Sequence, residues 1–138
     1  MIAFAPTVAR LKAAGFLSVD GLLEMVGLSD APRADPALFV VPERSSAQPN
    51  KMSGVIDQKV SETFSVVVIV KGARRGETVS DLLKVHCDAV VDALVGWTHP
   101  EASRACEYAG ERLVSMDGPQ VAWAVSFNAS RHIRKESQ

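Results

Sequence analysis

The chain has 138 residues, 47% of them hydrophobic and 22% charged, which is a globular balance and excludes a disordered chain. Fifteen Lys and Arg stand against sixteen Asp and Glu, a formal net charge of −1, so the chain lacks the basic excess of a bulk nucleic-acid binder. Its longest pure apolar runs, such as Val66 to Val70, are strand length and far short of a membrane span, so no membrane partner is expected.

The start, Met1-Ile2-Ala3-Phe4-Ala5-Pro6, has neither a basic stretch nor a long apolar run, so no secretory signal is expected. The first thirty residues read as helical. Pro6 suits a first turn, Val8, Leu11, the stem of Lys12 and Phe16 form an apolar side, and Gly15 ends the helix. A second short helix is expected after Ser18, carrying Leu22, Leu23, Met25 and Val26 and stopping at Gly27. Turn signals follow at Asp30-Ala31-Pro32 and Asp35-Pro36.

Residues 37–42 are apolar and closed by a proline, which reads as a buried strand. Residues 43–54 are polar and turn-rich and read as a long exposed loop, a place where binding segments are common. Val55–Lys71 alternates over seventeen positions. One face is wet at the start, both faces are apolar near the end, and the strand is long enough to project beyond the domain.

After a glycine-rich basic turn, Thr78-Val79-Ser80-Asp81 has capping-box spacing with Asp in place of Glu. A helix follows to about residue 95, with Val79, Leu82, Leu83, Val90, Leu94 and Trp97 on one face, His86 and Cys87 beside it, and Gly96 as its stop. Residues 105–116 and 120–128 read as strands flanking the turn Asp117-Gly118-Pro119, hence an antiparallel hairpin. Val121, Trp123, Val125 and Phe127 face the core, and residues 130–138 are expected to fray. The sum is one α+β domain spanning 1–138: a mostly antiparallel or mixed sheet of about four strands with helices mainly on one face.

No catalytic constellation emerges. Cys87 and Cys106 sit in no metal or redox spacing and read as reduced thiols. Neighbours on a helix point about 100° apart, so His86 and Cys87 do not face each other. His86, Cys87, His99 and Cys106 fit no metal spacing. Glu107 and Glu111 lie about 13 Å apart at strand rise, too far for a carboxylate pair. Lys71-Gly72-Ala73-Arg74-Arg75-Gly76 follows a strand but lacks a phosphate-loop pattern and reads as a basic turn. No cofactor is expected.

The order and spacing of several stretches carry a resemblance. They are Val8-Ala9-Arg10-Leu11; Pro36 to Pro42; a polar loop leading into Gln58-Lys59-Val60-Ser61-Glu62-Thr63-Phe64; Ala93-Leu94-Val95-Gly96-Trp97 with Pro100; Tyr108-Ala109-Gly110-Glu111-Arg112-Leu113; and the Trp123 strand. Over nearly its whole length the chain resembles the phage tail terminator proteins. The resemblance implies a structural assembly protein and not an enzyme, located in the virion tail and assembled in the bacterial host cytoplasm; the alternatives are another head–tail joining or neck protein and, in a different class, a small cytosolic enzyme or ligand-binding domain using His86, Cys87 or Arg112. The resemblance also implies a homohexameric ring that caps the tail tube protein and meets a head-completion protein, with DNA passing through the channel without sequence-specific binding. On that reading three surfaces are candidate interfaces. The first is the loop 44–54 with the strand start beyond it (Arg44, Asn50, Lys51, Met52, Asp57, Lys59). The second is the Arg74/Arg75 turn. The third is the outer side of helix 80–95, including Asp81, Lys84, Asp88 and Asp92.

Overall fold

The computed structural model describes residues 1–21, 35–71, 78–117 and 119–136. Helix α1 is Ala5–Ala13 and helix α2 is Val79–Leu94. The strands are β1 (Val19–Gly21), β2 (Ala37–Ala47), β3 (Val55–Lys71), β4 (Glu107–Asp117) and β5 (Gln120–Glu136). They form one five-stranded mixed sheet in the order β1-β2-β3-β5-β4, parallel between β1 and β2 and antiparallel elsewhere. The architecture is α+β, as the sequence implies, with one strand more than expected.

That extra strand comes from the segment read as a second helix. Val19 and Gly21 are buried and Asp20 is exposed, and the three residues pair with Leu38, Phe39 and Val40. Val19, Asp20 and Gly21 are all weak helix formers, and the pairing supplies backbone partners that a three-residue turn would lack. Gly21 is also where Phe4 seats: a Cβ there would lie 2.3 Å from the Phe4 ring. The rest of the expected helix, including Leu22, Leu23, Met25 and Val26, lies outside the described residues.

α2 is built as its sequence requires. Thr78 caps it with both halves of a capping box to Asp81, and Gly96 just beyond its end takes φ +85°, the left-handed conformation that stops a helix cheaply. Its buried stripe of Cys87, Val90, Ala93 and Leu94 packs on β3 and β5. Leu11 of α1 joins the same core, together with Leu38, Val40, Val66, Val68, Val70, Val125 and Phe127. Phe127 and Phe64 stack with centroids 5.6 Å apart. Trp97 and Trp123 are half-buried against this cluster. The opposite sheet face carries a second, smaller cluster of Ala37, Phe39, Val67, Ile69, Ala122 and Ala124. Both faces of β3 are therefore buried towards its end, and both described helices lie on one face.

Two boundaries move. β2 does not stop at Pro42 but continues to Ala47, so residues 43–47 are strand and the exposed loop shrinks to 48–54. The extension tolerates its proline because a bulge follows at once: Pro42 pairs with Phe64, Arg44 with Thr63, and Glu43 is the extra residue. β5 continues through residues 130–136, in register with β3 as far as Val55 opposite Glu136, so the segment expected to fray is strand up to Glu136. Polarity made both segments look irregular, but a polar strand needs only a partner ladder, and β3 provides it.

Candidate functional site

The seventeen residue pairs between β3 and β5 outrun both neighbours. β2 ends opposite Val60, and β4 begins opposite Asn128. Residues 55–59 and 132–136 therefore leave the sheet as a two-stranded arm, about 17 Å long at strand rise. The loop 48–54 braces one side of it. Gln48 donates its backbone N–H to the Lys59 carbonyl, and the Asn50 amide donates to the carbonyls of Val55 and Met52. Its Oδ1 accepts from the Asp57 and Met52 N–H groups. Asn50 is thus spent on the chain's own backbone, whereas Lys51 and Met52 are exposed at the tip.

A partly buried ion pair marks the base of the arm. Glu62 is 3% exposed, and Arg131 on the adjacent strand places Nε 2.8 Å from its carboxylate. The bulge at Glu43 puts Ser45 opposite Glu62, where its hydroxyl donates to the same carboxylate. The Met1 amine lies 3.5 Å away. Burial pushes the Glu62 carboxyl up, but the Ser45 hydroxyl and Arg131 push it down further, and the net shift is downward. Nearer the tip, Asp57 meets His132 at 3.1 Å and Arg134 at 3.3 Å, and the His132 hydrogen bond chiefly holds its carboxyl below the usual value.

On the other side of the sheet's centre lies β4, an edge strand at the margin of the helix layer. Cross-strand partners share a face. Tyr108 opposite Phe127, Glu111 opposite Val125, Leu113 opposite Trp123 and Met116 opposite Val121 therefore all point to the helix side. α2 packs over β3 and β5 and leaves this row open: Tyr108 is 43% exposed, Leu113 48% and Met116 69%. A groove lined by Leu83, Lys84, Cys87, Asp88, Glu111 and Trp123 separates β4 from α2. By position along the sequence Tyr108 and Met116 share one strand parity and Leu113 has the other. Register shifts at Ala109 and Val114 bring all three to the same side.

The other residues singled out from sequence are spread apart. Arg44 is exposed on β2 opposite Thr63, and Lys59 is half-buried on the arm. Lys84 and Asp88 form a 2.8 Å exposed pair one turn apart on α2. Arg74 and Arg75 lie outside the described residues. His86 stands edge-on to Phe16, while Cys87 is buried on the packed face of α2. His99 is buried with Nε2 2.6 Å from the Ala3 carbonyl and Nδ1 accepting the Glu101 N–H, so both ring nitrogens are occupied by backbone. Burial, with lesser contributions from nearby acidic groups, pushes the Cys87 thiol up to about 12 and Cys106 to about 11, which leaves them poor nucleophiles. Among the described residues no three His, Cys, Asp or Glu side chains come together as a metal site, and no helix is long and apolar enough to cross a membrane.

Glu62, Arg131 and the open face of β4 were not singled out from the sequence. Glu62 sits on the core parity of β3, between Val60 and Phe64, and that position was the available signal.

No curated protein matches the chain significantly. Among solved structures it is similar to a chain of the virion of a native gene transfer agent particle, with 16% identity and a TM-score of 0.68, over 94% of this chain and 93% of that one. At that identity the likeness is one of fold. The family model described as phage tail terminator protein matches residues 1–138, and the chain belongs to that family.

Proposed function

We propose that this protein caps the growing tail tube, ends its polymerisation and offers a surface on which the head is joined. It acts as a ring of identical copies, six in number, around a channel through which DNA slides. Its partners are itself, the tail tube protein and a head-completion protein, and it is assembled in the host cytoplasm before becoming part of the virion tail. The observation that carries this reading is the match to the terminator family along the whole chain.

The physical features support it. A ring closed by head-to-tail contacts needs two different patches on each subunit, and this chain has a projecting arm and a separate open edge strand. A near-neutral chain also suits a channel that must not grip DNA. The chemistry points away from catalysis: the thiols are held protonated and the buried histidine is tied to backbone.

The test is tube assembly in solution. Purified tail tube protein is polymerised with and without this chain, and tube lengths and ends are read by electron microscopy. The reading expects shortened tubes with a distinct ring at one end. Tubes of unchanged length with bare ends would overturn it. Lys51→Glu combined with Met52→Ser probes the loop in the same assay, and it spares β2, which a deletion of 45–53 would cut into.

A further inference from the structure

We propose that the open helix-side face of β4 in one copy receives the β3–β5 arm of the next copy. The inference rests on the ring reading and names the two patches that would close it. Even-numbered β3 residues face the helices, so the pairing of Gln58 with Ile133 and of Ile56 with Lys135 puts Ile133 and Lys135 on that same side of the arm. Ile133 is 42% exposed, and Lys135 lies two residues further out. The receiving face offers the matching pattern: Tyr108, Leu113 and Met116 are apolar and open, with Glu111 in the middle of the row.

The charges are complementary. On the helix side of the arm the charge is Lys135, whereas Lys59, Arg134, Asp57 and Glu136 lie on the other face, where Arg134 is paired with Asp57. On the helix side of β4 the charge is Glu111, whereas Glu107, Arg112 and Asp117, opposite Asn128, Ala124 and Gln120, lie on the other sheet face. An arm meeting an arm would oppose Lys135 to Lys135, and β4 meeting β4 would oppose Glu111 to Glu111, so the facing charges favour a head-to-tail contact over a two-fold one. The same contact removes water from an exposed apolar row on an edge strand, which a lone subunit would otherwise carry as an aggregation hazard. A second copy is the occupant that supplies both patches from one chain.

The experiment uses the full chain with Leu113→Glu, which spoils the receiving face, and Ile133→Glu, which spoils the arm. Both positions are exposed, and unchanged thermal melting confirms folding. Self-association is followed by sedimentation over a concentration series to the solubility limit. Each variant alone is expected to be monomeric. Their mixture is expected to form heterodimers and nothing larger, because it holds one intact arm and one intact face. Lys135→Glu alone should weaken wild-type association about tenfold, and adding Glu111→Lys should restore it. For assembly that needs the tube as template, Leu113→Cys and Ile133→Cys are combined in one chain and oxidised with and without tube protein. A ladder of cross-linked subunits is expected.

A mixture that stays monomeric and a cross-linking ladder absent in both conditions would together overturn the proposal, as would either glutamate variant forming complete rings. Capping of tubes by variants that break this contact would overturn it while leaving the terminator reading intact. Wild-type protein that fails to cap would remove that reading instead. Binding of tube protein to the β4 face in place of a second copy would also overturn it.

Discussion

Replacing Glu62 by Gln tests whether the ion pair at the base of the arm is stabilising. The substitution keeps the shape and the Ser45 contact but removes the charge facing Arg131 at 2.8 Å. Hydrogen bonds between charged groups are worth about 1.5–3 kcal/mol, and stranding one buried partner costs about 3–5 kcal/mol. Arg131 keeps 27% of its side-chain surface in water, which softens that loss. We therefore expect a loss of about 2 kcal/mol at pH 7, or roughly 6–10 °C in Tm for a chain of this length.

The pH dependence gives the same prediction a second readout. The Glu62 carboxyl is lowered from its ordinary 4.5 in the folded state. Its contribution is then fully present above about pH 4.5 and is lost as pH falls through the lowered value. Urea unfolding from pH 7 downwards should show the wild-type advantage over Glu62→Gln shrinking across that window, with an unchanged denaturant slope. A difference that is the same at pH 7 and at pH 3 would refute the reasoning, as would no difference at pH 7.

Three further outcomes follow from the described geometry. Phe127 is fully buried and stacked on Phe64, so Phe127→Ala should cost about 3–5 kcal/mol in urea unfolding, and a loss below about 1 kcal/mol would show that the stack is not central to the core. Cys87 and Cys106 should resist thiol reagents in the native protein at pH 8 and react together once it is unfolded; fast labelling of either in the folded state would contradict their burial. Asp57 should titrate below its ordinary 3.8, and His132→Ala should move that midpoint upwards but not fully back, because Arg134 remains beside it; an NMR titration insensitive to the substitution would refute the pairing.

Much of the fold was legible because it followed strong local rules. The alternation of Val55–Lys71, the capping box at Thr78 and the stop at Gly96 each rest on a few adjacent residues, and each appears in the structure. What failed to show depended on distant partners. Residues 43–47 and 130–136 carry little apolar pattern, and they are strands because β3 runs alongside both. Val19–Gly21 is a strand only because Leu38 to Val40 lie beside it. The candidate surfaces were harder still. Asn50, named as an interface candidate on the family resemblance, has its amide hydrogen-bonded within its own loop, which its sequence position alone does not reveal. The row on β4 was hidden by bulges at Ala109 and Val114, which shift parity in a way that no count along the sequence reveals.

The uninterrupted register of β3 against β5 also sets an order of folding. Within the sheet, Val66, Val68, Val125 and Phe127 fix the alignment, because a slip of one residue would turn these side chains to the opposite face. Beyond Glu62 and Arg131 the arm is held by Asp57 with His132 and Arg134 and by the Asn50 brace but buries no side chain fully, so its ladder is expected to close after the core has chosen the alignment, zipping outwards from that pair. Amide hydrogen exchange should therefore grow faster step by step from Ser61 towards Val55, and from Ser130 towards Glu136, while the core segments of the same two strands exchange only by global unfolding. One continuous pair of strands would then hold two stabilities: a rigid root, and a tip that opens and recloses many times during the life of the folded subunit.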